Sequence, residues 1–217
     1  MYHFIEDKEF LGNMRRTCAD LVNQLVMKIN NDGEMEVRAY LVGSGAKNIE
    51  TQNADEPVDL DYNLEIVESS NFNINAGQNV KEYIRNAFNE VLNKNGWSDC
   101  QDSTSCLTTK QQVFNRGNKT PFSIDLAIVC ESGESWYRLI HQKTGLTSQD
   151  QWYWNEMPHS EKLRAKVNWL KVNDCWPAVR QTYLDKKNLY LRRHDNNHPS
   201  FVCYIEGVNE VYDKYRH

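Results

Sequence analysis

VRAYLVGSGAKNIETQNADEPVDLDYNLEIV, residues Val37 to Val67, reads as a strand, a Gly-Ser turn, a polar loop and a second strand. Val37, Ala39, Leu41 and Val42 form a short extended run that stops at Gly43-Ser44-Gly45. The second strand alternates: Val58, Leu60, Tyr62, Leu64 and Ile66 point to one face, while Asp59, Asp61, Asn63 and Glu65 point to the other. Two-residue spacing on a strand sets the Asp59 and Asp61 carboxylates side by side, with Cα atoms roughly 6.5–7 Å apart. Carboxylates that close repel each other unless a positive charge sits between them, and a hard divalent cation suits such oxygen ligands.

A third acid lies further along. Thr120–Val129, TPFSIDLAIV, reads as a strand with Phe122, Ile124, Leu126 and Ile128 on one face and Ser123, Asp125 and Ala127 on the other. The turn NRGNKTP folds it back against an expected strand from Cys106 to Phe114, so Asp125 should share a sheet with the acid pair. Taken alone, Asp59-Leu60-Asp61 is also what any half-exposed antiparallel strand shows. The informative feature is the ordered set: a strand ending in Gly-Ser, an acid pair opening the next strand, and a lone acid on a later one.

That set resembles the polymerase-beta-like nucleotidyltransferase superfamily, and most nearly its oligoadenylate synthetase and bacterial cyclic-oligonucleotide synthase branch. The matching residues are Gly43 and Ser44, Asp59 and Asp61, and Asp125. The loop from Ser44 to Asp59, which holds Lys47 and Thr51, is longer than the compact version in many members. The resemblance implies an α+β fold, a mixed sheet flanked by helices, with a long helix ahead of the first core strand. It implies a catalytic core over residues 1–150 and a helical segment over 151–217 that closes the cleft. It also implies transfer of a nucleoside monophosphate from an NTP, ATP foremost, to an acceptor hydroxyl with release of pyrophosphate. Asp59, Asp61 and Asp125 would be the catalytic acids and the ligands of Mg²⁺ (or Mn²⁺). Gly43, Ser44 and Lys47 would contact the nucleotide, with turn amides cradling the terminal phosphates. A module of the same fold that binds a nucleotide or a protein partner without turnover is the alternative.

At 217 residues the chain is long enough to bury a proper core, and 40% hydrophobic with 25% charged residues is ordinary for a globular protein. No apolar run approaches the ~20 residues that span a bilayer, and the acids in MYHFIEDKEF do not fit a signal peptide, so a cytoplasmic protein without membrane partners is expected. The six cysteines form no C-x-x-C pair and read as reduced, buried thiols. A net charge of −5 does not indicate a grip on long nucleic acid. The balance is uneven: from Met157 onward eleven Lys+Arg face seven Asp+Glu, a net +4 against −9 for the remainder. Lys162, Lys166 and Lys171 in that basic part are candidates to hold a triphosphate, although helix lysines usually face solvent.

Apolar residues at three-and-four spacing predict a helix over Ile5–Ile29, closed by Gly33, and another over Val80–Leu92. Ser160, Pro177 and Pro199 each read as the start of a helix. Between Glu131 and Asn155, Trp136, Tyr137, Trp152, Tyr153 and Trp154 could stack on a base or seal a junction. His194 and His198 have i, i+4 spacing in a loop-like context, with no further zinc ligands legible nearby.

Overall fold

The computed structural model describes residues 1–69, 71–158, 161–195 and 198–216, with the backbone alone at 161 and 162. In chain order these form β1 (Tyr2–Phe4), α1 (Lys8–Asp32), β2 (Glu36–Leu41), α2 (Gly43–Lys47), β3 (Thr51–Asn53), β4 (Val58–Glu68), α3 (Gly77–Lys94), β5 (Gln101–Asp102) and β6 (Leu107–Thr108). There follow β7 (Phe122–Ser132), β8 (Ser135–Gln142), β9 (Gln151–Glu156), α4 (Glu161–Val172), α5 (Trp176–Arg192) and α6 (Ser200–Tyr215). They divide into two compact units. One is Asp7–Asn48 with Pro57–Pro158; the other joins Met1–Glu6, Ile49–Glu56 and the chain from His159.

The first unit is a seven-stranded mixed sheet with helices on its apolar side. The strand order is β2-β4-β7-β6-β5, and β8 pairs both the far end of β7 and β9. β4 and β7 are parallel, a pairing that requires the long crossover through α3. The β6–β7 turn-back is antiparallel as the sequence suggests, but the earlier strand shrinks to Leu107–Thr108 plus a bridge from Gln112 to Phe122. Val58, Leu60, Tyr62, Leu64 and Ile66 are buried, as the alternation requires. Phe10 of α1 meets Phe122 of β7 edge-on at 6.3 Å, which seats the first helix on that face.

The α1 boundaries follow from its caps. Asp7 is extended and accepts a hydrogen bond from the Phe10 N–H at 2.9 Å, so the helix begins at Lys8 rather than at Ile5. Asp7→Ala should destabilise the protein through loss of this cap, read as a lower urea midpoint with unchanged slope. The Glu131–Asn155 region resolves as the β8–β9 hairpin, and β9 extends the sheet past residue 150. Beneath it lies a buried polar network. Lys81 Nζ meets Asp102 Oδ1 at 2.6 Å, and His141 bridges Asp102 and Asp150 at 2.7 and 3.0 Å while stacking on Trp152. The buried Lys81 ammonium has the Asp102 carboxylate beside it, as burial demands.

The second unit packs α4, α5 and α6 with the β1–β3 ribbon around Leu170, Val179, Tyr183, Tyr204 and Val208. Gly207 lets α6 approach the α5 backbone: a Cβ there would lie 3.3 Å from the Tyr183 amide nitrogen. Pro177 stands in the first turn of α5 and Pro199 caps α6. Ser160 and the Lys162 side chain lie outside the described residues. All six cysteines are free, four of them buried. Among the described residues no helix is long and apolar enough to cross a membrane.

Candidate active site

The parallel β4–β7 ladder fixes the register of the acids. Asp59 is paired with Ser123, and Asp61 is directly opposite Asp125, so all three carboxylates stand on one face of two adjacent strands. That face is the one turned away from Leu60, Tyr62, Ile124 and Leu126, which are buried.

Two hydroxyls that the sequence reading passed over hold two of the acids. Ser123 Oγ donates a short hydrogen bond to Asp59 Oδ1, and Thr108 Oγ1 donates to Asp125 Oδ1 at 2.6 Å. Ser123 was legible only as a small residue on the strand's thin face. Thr108 carried no signal, since its role depends on β6 lying beside β7.

The Gly-Ser segment is a five-residue helical turn rather than an open bend. The Val42 N–H donates to the Asp61 carbonyl at 2.8 Å, which docks this turn on β4. Gly43 adopts φ +61°, and a Cβ on it would lie 2.9 Å from Asp61 Cγ. Only a residue without a side chain lets the backbone come that close. Lys47 donates from Nζ to the Gly43 carbonyl at 2.8 Å. Ser44 sits in the same turn, partly exposed. Gly43, Ser44 and Lys47 therefore gather beside Asp61. Thr51 instead belongs to β3, where it accepts from Lys187 Nζ at 2.9 Å.

Burial, then the charges of Asp125 and Asp59, push the Asp61 carboxyl up to about 6 from an ordinary 3.8; Lys47 and Arg138 pull the other way. The Asp59 carboxyl is also raised, by burial first and by Asp125, against the lowering effect of the Ser123 hydrogen bond. The Asp59 residue is nonetheless open to solvent, which tempers the burial effect. A set of oxygen donors that repel one another suits a hard divalent cation. As the side chains stand, no three His, Cys, Asp or Glu groups among the described residues close on one metal position. The hydroxyls of Ser123 and Thr108 each occupy one carboxylate oxygen, on Asp59 and Asp125, and the Cys106 thiol also bonds the Asp125 carboxylate.

Two further polar groups share this face. Asn63 Oδ1 and Arg138 Nε are buried with no hydrogen-bond partner among the described residues. Arg138 pairs with Val129 of β7 and so points to the same side as Asp125. Trp136 and Tyr153 alternate onto that side too, whereas Trp152 and Trp154 seal the helical side, Trp154 donating to the Ile74 carbonyl at 3.0 Å. Lys166 and Lys171 are engaged within the helical unit, by Asn209 at 2.7 Å and by the Trp176 ring at 4.9 Å.

No protein-family model matches the sequence, and no curated protein matches it. Solved structures do match. The Elizabethkingia meningoseptica cyclic dinucleotide synthase CdnE, solved with GTP and Apcpp, aligns with a TM-score of 0.57 at 12% identity, over 93% of this chain and 70% of that one. CdnC of E. coli MS115-1 aligns with TM-scores of 0.56 in its complex with HORMA-deltaN and 0.54 with ATP. Both alignments are at 16% identity over 91% of this chain, and they cover 57% and 58% of the CdnC chain. The chain has the CD-NTase fold. The expected mixed sheet flanked by helices is the observed architecture, and it is the one these solved structures share. At such low identity the likeness is one of fold, and the chain spans 57–70% of the length of these CD-NTases.

Proposed function

We propose that the acid-bearing face is a divalent-metal-dependent nucleotidyl-transfer centre. An acceptor hydroxyl attacks the α-phosphorus of an NTP, ATP foremost; the new P–O bond forms as the bond to pyrophosphate breaks. The observation that carries this reading is Asp61 set in register against Asp125, beside a glycine turn packed on its carboxyl.

Asp59 and Asp61 would hold two Mg²⁺ or Mn²⁺ ions, with Asp125 joining at the position nearer the acceptor. Bound there, such ions supply a lowered pKa for the acceptor hydroxyl and neutralisation of the leaving pyrophosphate. Thr108 and Ser123 keep Asp125 and Asp59 oriented through one oxygen each. Asp125 is thereby fixed at the acceptor's side of the face, and the acceptor's proton passes to water. Ser44 and the amides of the Gly43–Gly45 turn cradle the terminal phosphates, and Lys47 adds a positive charge next to them. The unpartnered Arg138 Nε gives the face a second cation for a phosphate oxygen. Positioning and charge carry the rate in such transfers, and the protein forms no covalent bond.

The test is incubation of the protein with each labelled NTP, with Mg²⁺ or Mn²⁺, followed by pyrophosphate assay and identification of the product by mass. Metal-dependent pyrophosphate release with a nucleotidylated product is expected, and the product's mass names the acceptor. Because Asp59 and Asp125 are already satisfied by hydroxyls, a binding module is the competing reading. Tight NTP binding without pyrophosphate release under every nucleotide and metal would establish it.

A further inference from the structure

The helical unit contains its own cavity, of about 440 Å³, between the end of α5, the start of α6 and β1. That volume lies in the usual range for small-molecule pockets. Tyr190, Leu191 and Pro199 give it apolar wall, and Lys187, His198 and Ser200 give it polar groups.

Lys187 sets its chemistry. Its Nζ donates to Thr51 Oγ1 at 2.9 Å and lies 3.8 Å from the centre of the Tyr2 ring and 5.6 Å from that of Tyr183. Among the described residues no carboxylate comes within ion-pair distance of it. The contrast with Lys81 is direct, since that lysine has Asp102 at 2.6 Å. The carboxylates nearer the cavity are already engaged. Asp195 meets His198 Nδ1 at 2.8 Å, and Glu206 accepts from the Tyr190 hydroxyl at 3.0 and 2.8 Å. A cation withdrawn from water normally has an anion beside it. Here hydroxyl and aromatic groups stand where that anion would be.

We propose that this cavity is a second ligand site, taking a small oxyanion with a compact apolar body, a carboxylate or a phosphate monoester, on the Lys187 ammonium. The site is independent of the acid-bearing face and does not rest on its chemistry. Burial lowers the Lys187 pKa to about 8, against the opposing effects of Cys203 and Glu56. An oxyanion binds the ammonium form, so occupancy should pull a proton onto Lys187 and affinity should fall as pH rises past about 8. Besides the Glu56 carboxylate, which follows β3, the titratable groups facing this lysine are Tyr2 from β1, Tyr183 from α5 and Cys203 from α6. Burial raises the pKa of each, which keeps them neutral across this range.

The experiment is calorimetric titration of the full chain with phenyl phosphate, benzoate and, as the uncharged control, benzyl alcohol. At least one anion should saturate, and the alcohol should not. Lys187→Met should weaken the anion by about tenfold or more, the loss of one charge-assisted hydrogen bond. Asp59→Asn should leave it unchanged. Above about pH 8, binding heats in buffers of different ionisation enthalpy should reveal net proton uptake. The ratio of the two anions' affinities separates the sources. It falls for phenyl phosphate below about pH 6, where a phosphate monoester loses its second charge, and any histidine titration cancels in that ratio.

Should Lys187→Met fail to fold by circular dichroism, His194→Asp serves instead. His194 is exposed at the rim in a left-handed conformation that Asp tolerates, and a carboxylate there should weaken anion binding several-fold. Three results would overturn the site: wild-type affinity in whichever of these variants folds, loss of anion binding in Asp59→Asn, or no saturation by either anion up to about 10 mM.

Discussion

Asp61→Asn is expected to abolish nucleotidyl transfer, by at least about 10²–10³-fold in kcat, and at the same time to make the protein more stable. Both effects have one cause. Asp61 is held among burial, Asp125 and Asp59, so its folded pKa of about 6 lies above the 3.8 of an ordinary carboxyl. A carboxyl raised on folding costs stability above the folded pKa, and the cost fades as pH falls toward the unfolded value. With about 1.4 kcal/mol per pKa unit, the charge costs the folded state on the order of 3 kcal/mol near pH 7. The amide removes that cost while keeping the shape. Melting temperature near pH 7 should therefore rise by several degrees in the variant. The wild type should itself gain stability between about pH 7 and pH 4, more steeply than the variant. A variant that melts lower than wild type near pH 7, or keeps metal-dependent turnover, would contradict the placement of this carboxylate.

Gly43→Ala is the second large effect, and it acts through the same side chain. The new methyl would stand 2.9 Å from Asp61 Cγ, so either the carboxyl or the turn must move. The φ of +61° adds about 1 kcal/mol of backbone strain for any residue with a Cβ. Displacement by about 1 Å is enough to lower such a reaction by about 10²-fold. The expected result is a folded protein, modestly less stable, whose kcat falls by about that factor. Gly45→Ala is the informative comparison. Its methyl would meet only the flexible ends of Leu60 and Leu41 at 3.1 and 3.2 Å, so stability should fall with much less effect on kcat. Equal losses of kcat in the two variants would mean that the approach of Gly43 to Asp61 is not what matters.

The sequence exposed those parts of the fold that depend on local periodicity. The period of two in Val58–Ile66 and in Phe122–Ile128, and the three-and-four spacing with Gly33 in α1, are properties of single elements. What stayed hidden depends on partners far along the chain. Parallel pairing of β4 with β7 sets Asp61 opposite Asp125, and nothing local to either strand specifies it. Thr108 and Arg138 reach the acid-bearing face only because β6 and β8 flank β7. The β8–β9 hairpin was illegible because it has aromatic side chains on both faces, which erases the alternation. Residues Gly43–Lys47 looked like a bend because two glycines in five suggest one, yet the Ala46 N–H closes a helical turn onto the Val42 carbonyl at 3.2 Å. The ribbon of β1 and β3 has strands too short to carry a pattern.

Titration with Mn²⁺ followed by electron paramagnetic resonance, in the presence of a non-hydrolysable ATP analogue, reads the acid-bearing face most directly. Wild-type protein should take up Mn²⁺ saturably, and Asp61→Asn and Asp125→Asn should each weaken that uptake by about tenfold or more. Mn²⁺ bound equally well by wild type and both variants, or not bound by wild type at all, would contradict a shared metal centre on these strands.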